Sequence, residues 1–289
     1  MRDRRWLYRL SGYLFALPYL ILFCGFLLLP LAYGLGLSFF RWELLSPAPP
    51  AFIGLGNYRE AVGSDYFRRA LGATFRFVLM AVPLTVGLAL LLAVGIQAIP
   101  RSRQSFYRAA YFLPTILTIS VAGLLWRWFF NTEFGLFNAY LAPLGLRVPW
   151  LTDAAWAMRS VVLMTLWWTV GGPMVVLLAG LQQIPAHYYE AASLDGANTL
   201  HRFFHITLPL LRPALLFVLV MNLIGAFQVF GQTFIITRGG PEQSTRVLVQ
   251  YIYETAFNNY RMGYAAAMSW LLFLLIAVFA CVQFRLMRE

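Results

Sequence analysis

The sequence contains no lysine, and all 22 of its basic residues are arginine. A phosphate-cradling P-loop needs a lysine at the nucleotide, so this chain has no Walker-type ATP site of its own. Charge of either sign is scarce, at 11% of 289 residues, where a soluble domain carries about 25%. With 61% hydrophobic residues, such a surface cannot be held in water, and a bilayer is the expected solvent. The two cysteines, Cys24 and Cys281, lie in apolar runs near opposite ends of the chain. That placement excludes a disulfide framework and reads as two small buried hydrophobes. The formal charge of +11 does not point to nucleic acid, because the arginines are dispersed and gather at the ends of apolar runs, as membrane segments require. No internal repeat is present, so any two-fold pore needs a second chain.

What the sequence has in abundance is long apolar runs. A spanning helix takes about 20 predominantly apolar residues, and six segments qualify: 12–40, 72–98, 109–131, 158–181, 213–237 and 263–284. The chain is therefore expected to be all-α and polytopic, with six spans. The first run follows "MRDRRWLYR" and resembles the start of a signal peptide. It continues to Phe40, far beyond the roughly 7–15 residues of a signal core, and is read as a true span bent near Pro30. Arginine is concentrated in the tail over 1–11 and in the short loop "PRSRQSFYR", which places both termini in the cytoplasm. Pro83, Pro114, Gly171, Gly172, Pro173, Pro213 and Gly225 interrupt the spans. They serve either close helix packing through small residues or a pathway whose walls satisfy the freed backbone groups.

Between the fourth and fifth runs the chain leaves the oily phase with "YYEAASLDGANTLHRFFHITLPLLRP", Tyr188 to Pro213. Pro185 suits the first turn of a helix, and residues 186–195 can form a short one. Gly196 supplies the left-handed or extended backbone that ends it, and Asn198 is a good N-cap for a second. Leu200, Phe203 and Phe204 then share one face. Pro209 and Pro213 are expected to turn the chain back toward the membrane. The result is a cytoplasmic helix–turn–helix hairpin over 182–212, whose Ala191 and Ala192 permit close approach by a partner.

The same stretch, "EAASLDGANTLHRFFHITLP", has Glu-Ala-Ala, three residues, Gly, nine residues and Ile-x-Leu-Pro. It resembles the signature loop of the membrane permeases of bacterial ABC importers, matching at Glu190, Ala191, Ala192, Gly196, Ile206, Leu208 and Pro209. "LPYLILFCGFLLLPLAYGLGLSFFRW", "FIGLGNYREAV", "YRAAYFLPTILTISVAGLLWRWFFNTEFGLFN" and "AFQVFGQTFIITRGGPEQST" extend the resemblance to carbohydrate-uptake permeases. The Gly-Gly-Pro at 239–241 is similar to the first permease of the maltose and glycerol-phosphate types. The first outer loop is only about thirty residues, so the chain resembles compact six-span members lacking a large outer domain.

The resemblance implies a permease domain over 12–286 in the cell inner membrane, moving a sugar or, alternatively, glycerol phosphate or another polyol inward by alternating access. It implies an ATPase dimer that binds ATP and Mg, a second related permease and an extracytoplasmic solute-binding protein. This chain itself would hold no cofactor and do no bond chemistry. Glu190 would present its carboxylate to the ATPase, with Ala191, Ala192, Asp195, Gly196, Ile206, Leu208 and Pro209 forming the coupling element. By likeness to maltose-type permeases, Thr115, Ile119, Trp168, Gly172, Asn222, Gly225 and Gln228 are candidates for an in-membrane sugar site. Packing is the plain alternative for these seven, and belt or packing roles are the plain alternative for Trp126, Trp128, Trp167 and Trp168.

Two readings of other classes also fit parts of the sequence. His201 and His205, four apart on a helix, have metal-ligand spacing, with His187, Glu190 and Asp195 near in sequence. A single-chain secondary transporter or channel would need ionisable groups within its spans, and Arg76 and Arg127 come nearest to that.

Overall fold

The computed structural model describes residues 4–288, with nothing said of the side chains of 4–12, 284 and 286–288. Of the tail expected over 1–11, residues 1–3 lie outside the described residues, and Arg4 already belongs to a helix. Helices dominate, but a two-residue ribbon pairs Phe40–Arg41 with Ala51–Phe52 antiparallel. That ribbon departs from the all-α expectation.

Four helices are long and apolar enough to cross a membrane, or six if each of two bent pairs counts as one span. The four are Tyr13–Ser38, Asp65–Ala98, Thr199–Phe227 and Met262–Gln283. Three sequence-based expectations need correction here. The third run is broken: Arg101–Ile116 and Ile119–Phe129 meet at 95°. Leu117 is extended, and Thr118 caps the new helix by accepting from the Val121 N–H. The fourth run bends by 49° between Ala154–Thr169 and Gly171–Gln182. The fifth begins earlier and ends sooner than 213–237. It runs unbroken through Pro209 and Pro213 and stops at Phe227, so those prolines do not turn the chain. A π-turn over Phe203–Thr207, closed by Leu208 N–H to Phe203 O, precedes Pro209. A wider turn at that point accommodates a residue that lacks a donor.

The chain forms two compact units. One comprises the chain to Ser64 together with Ile252–Phe273. Here the first span carries a π-turn at Cys24–Leu28, directly before Pro30. Buried Asn57 donates to the Ser38 and Phe40 carbonyls, satisfying acceptors left at the end of that span. Arg261 makes a two-pronged pair with Glu60 at 2.7 and 2.8 Å and lies over the Tyr264 ring. The hydrogen bond from Arg261 to Glu60 is the main reason its guanidinium is held above its usual range. Gly263 is required where it stands, because a Cβ there would collide with the Phe40 carbonyl oxygen.

The other unit comprises Asp65–Tyr251 and the chain from Leu274. Its axis is the 34-residue helix Asp65–Ala98, whose buried Ala70, Ala73, Ala81, Ala89 and Ala93 let neighbours approach closely. Ala89 and Ala93 pack with Met174, Leu177, Leu178 and Leu181 of one neighbour and Leu211 and Val218 of another. A Cβ on Gly180 would stand 2.8 Å from Leu211 and 2.9 Å from Ala214, so those two helices are in tight contact. Thr74 Oγ1 donates to Ala70 O and accepts from the Leu248 N–H at 2.8 Å, tying the Leu248–Tyr253 helix to this axis.

The cysteines depart from the sequence reading. Cys24 and Cys281 are both exposed on the chain's own surface. An apolar helix that faces lipid or another chain leaves small hydrophobes uncovered by protein.

Candidate functional site

The hairpin forms as its residues suggest. The first arm is Ala186–Leu194. Gly196 has φ +77°, its N–H reaches Ser193 O, and the Ala197 N–H reaches Ala192 O at 2.9 Å. This pair of bonds is a Schellman stop, which needs the left-handed backbone that glycine adopts at little cost. Two residues on, the Asn198 side chain accepts from the His201 N–H at 2.8 Å and starts the second arm. The arms are stapled at two levels. Arg202 donates to Ser193 Oγ at 2.9 Å, and the Tyr189 hydroxyl lies 3.0 Å from Thr207 Oγ1.

The second arm is not a separate short helix but the beginning of the 29-residue Thr199–Phe227 helix. Glu190, Ala191, Asp195, Gly196 and Pro209 are exposed, whereas Ala192, Ile206 and Leu208 are partly covered. Leu194 is 90% exposed at the tip, an apolar contact that the motif itself does not mark. His201 and His205 stack at 4.0 Å. Among the described residues no group of three or more His, Cys, Asp or Glu comes together.

A cavity of about 460 Å³ lies between the two helices that lead into the hairpin and the Asp65–Ala98 axis. Three of the seven sequence candidates line it: Gly172, Asn222 and Gly225. A Cβ added at either glycine meets no atom within 4 Å. Asn222 anchors its amide N–H on Val218 O at 2.8 Å. The remaining polar lining is Thr85, Thr165, Thr169 and Gln232, which the sequence did not single out. Phe77 and Phe217 supply the aromatic lining.

The other four candidates are absent from the cavity wall. Trp168 donates its indole N–H to Leu117 O at 3.0 Å. It satisfies a carbonyl set free by the 95° break, which an apolar surrounding would otherwise leave unpaired. Thr115 donates to Phe112 O inside the 3₁₀ turn. Ile119 packs against Gly231, whose added Cβ would stand 2.9 Å from it. Gln228 is the exposed C-cap after Phe227, so it does not share a helix with Asn222 as the fifth run suggested. Trp126 and Trp167, ring centroids 5.5 Å apart, belong to an aromatic cluster with Phe129, Phe130 and Phe137. Arg76 and Arg127 are exposed and do not reach the cavity.

Residues 61–288 match the model of the binding-protein-dependent transport system inner membrane component. The chain belongs to this family. Among relatives of this inner membrane component, the probable ABC transporter permease protein YesP of Bacillus subtilis is 38% identical over 96% of this chain and 90% of that protein. The sulfoquinovosyl glycerol transport system permease protein SmoG of Agrobacterium fabrum is 36% identical, covering 99% and 94%. The sn-glycerol-3-phosphate transport system permease protein UgpA of the same organism is 33% identical, covering 97% and 96%. A solved bacterial ABC transporter involved in the import of the acidic polysaccharide alginate superposes with a TM-score of 0.82 at 25% identity, covering 99% and 96%. A bacterial alginate ABC transporter in complex with alginate pentasaccharide-bound periplasmic protein shares the fold, with a TM-score of 0.80 at 24% identity over 97% and 93%.

Proposed function

We propose that this inner membrane component is the permease subunit of an ABC importer that carries a carbohydrate into the cytoplasm by alternating access. In this reading each bent pair counts as one span, giving six, with both termini and the hairpin on the cytoplasmic side. Relatives named for sugar derivatives and for glycerol phosphate support a polyhydroxylated solute. A partner ATPase dimer binds ATP and Mg, a second related permease completes the pathway, and a solute-binding protein delivers the cargo from outside.

The observation that carries the reading is a continuity. Both arms of the hairpin connect to walls of the cavity: Gly171–Gln182 joins the first arm through a short turn at Gln183–Pro185, and the second arm is one helix with Asn222 and Gly225. From Asn198 to Asn222 that helix extends roughly 36 Å at about 1.5 Å per residue. A push on Glu190, Leu194 and the turn at Gly196 is thereby carried through the second arm to the cavity without an intervening loop. In the ATPase-docked state, exposed Glu190 offers a carboxylate for a charge-assisted contact, and exposed Leu194 offers apolar area.

Gly196→Val tests this reading. A β-branched residue at φ +77° is strained, and strain of this kind costs about 1–3 kcal/mol, whereas Asn tolerates the same backbone. Uptake and solute-stimulated ATP hydrolysis by the reconstituted importer should fall sharply in Gly196→Val and recover in Gly196→Asn. Normal stimulated hydrolysis in Gly196→Val would show that the hairpin does not couple.

A further inference from the structure

We infer that the cavity selects a neutral, hydroxyl-rich sugar and rejects phosphorylated, sulfonated or carboxylated ones, an inference that rests on the carbohydrate-permease reading above. None of the seventeen residues lining the cavity is ionisable. Part of its polar lining is already committed to the helix backbone. Thr165 donates its hydroxyl proton to Val161 O at 2.8 Å, and Thr169 donates to Thr165 O at 2.7 Å. Asn222 commits one amide N–H to Val218 O. A threonine hydroxyl has one proton and two lone pairs. With those protons held by the helix backbone, Thr165 and Thr169 keep acceptor lone pairs, as does Asn222 Oδ1, while the second Asn222 N–H, the Thr85 hydroxyl and the Gln232 amide supply donors.

An uncharged wall of mixed donors and acceptors suits a ligand whose hydroxyls both donate and accept. It offers no cation to offset the charge of an anion. Burying an unpaired carboxylate or phosphate costs several kcal/mol after relaxation, and each 1.4 kcal/mol is about a tenfold loss of affinity. Arg76 is the nearest cation in sequence to a lining residue. It follows Phe75 and precedes Phe77 on one helix, is exposed, and is not part of the wall. The volume of about 460 Å³ lies in the range of small-molecule sites. Relatives named for glycerol phosphate or sulfoquinovosyl glycerol carry anionic solutes, so this selectivity separates the chain from part of its own family.

The test uses the purified complex of both permeases and the ATPase without the binding protein, since that protein imposes its own selectivity. Saturation-transfer NMR is recorded with D-glucose, maltose, D-glucose 6-phosphate and D-glucuronate. Signal is expected from a neutral sugar, lost in Gly225→Phe, and at least about tenfold weaker for its anionic counterparts. Asn222→Arg should invert the order by admitting D-glucose 6-phosphate. Equal or stronger signal from an anionic sugar on the unaltered complex, lost in Gly225→Phe, overturns the selectivity while leaving the membrane site standing. No signal from any of the four, or signal untouched by Gly225→Phe, overturns the membrane site and the selectivity with it.

Discussion

Two adjacent glycines make opposite demands on the same substitution. Gly171 is pressed against the third segment: an added Cβ would collide with the Tyr111 carbonyl oxygen and stand 2.7 Å from Phe112 Cα. Both obstacles are backbone, so neither can swing aside as a side-chain tip would. Forcing a methyl into such a contact costs about 1–3 kcal/mol. A unit of this size changes its melting temperature by about 2–4 °C per kcal/mol, so Gly171→Ala should melt roughly 2–12 °C lower. Gly172 looks into the cavity, where an added Cβ has no neighbour within 4 Å. Replacing a helical glycine without steric conflict stabilises by about 0.4–1 kcal/mol through the unfolded chain, so Gly172→Ala should melt about 1–4 °C higher. The extra methyl narrows the cavity, so uptake should slow although the protein is more stable. The assay is apparent melting of the purified complex in detergent, followed by solute uptake in proteoliposomes at matched protein. If the two variants shift in the same direction by similar amounts, the packing assigned to Gly171 and the openness assigned to Gly172 are both wrong.

Two further tests follow from the same geometry. Asn222→Leu should lower uptake with expression unchanged, whereas Gln228→Leu, at an exposed helix cap, should transport normally; a reversed order would move the pathway to the other end of that turn. With Cys24 and Cys281 replaced, cysteines at exposed Ser102 and exposed Leu146 should react with an impermeant maleimide from opposite sides of the membrane. Labelling of both from one side would refute the six-span arrangement with cytoplasmic termini.

The hairpin was legible in the sequence because local rules determine it. A glycine in the left-handed region, an asparagine cap and a short polar helix each need only their near neighbours. Pro114 and Gly171–Pro173 marked where the spans are interrupted, but the size of the bends was not legible, because a hydropathy window registers apolar content and not continuity. The run 109–131 is apolar enough for one span despite Thr115, Thr118 and Ser120, yet the chain turns by 95° at Leu117. Trp168, fifty-one positions away, closes the carbonyl that the turn frees, and that is a long-range fact. Proline misled in the opposite sense, since Pro209 and Pro213 look like stops. In the structure both sit inside one helix, with a π-turn immediately upstream. Of Gly171 and Gly172, the sequence could not say which is packed and which faces a cavity. Adjacent helical positions point about 100° apart, and only the position of Tyr111 decides between them.

The breaks also bear on how the proposed motion would reach the solute. The hairpin and its two long arms form a body stapled at Arg202–Ser193 and Tyr189–Thr207 and packed tightly at Gly180. That body ends at Val170 on one side and at Gln228 on the other, each the cap of a helix. Gly172 and Gly225 lie two and three residues inside those ends. A rigid rotation driven at the hairpin would therefore be absorbed at element ends, where hinges are found, and would change the spacing of the cavity's two glycine-lined walls. The Tyr189–Thr207 contact tests whether the staple matters. Thr207 is only 7% exposed, and its bond to Tyr189 is worth about 0.5–1.5 kcal/mol net. Tyr189→Phe and Thr207→Val should each reduce solute moved per ATP hydrolysed while leaving the ATPase rate largely intact. Because both remove one contact, the double variant should be no worse than the poorer single one. Independent, additive losses, or unchanged stoichiometry in all three, would mean that the arms need no staple and that force passes through one arm alone.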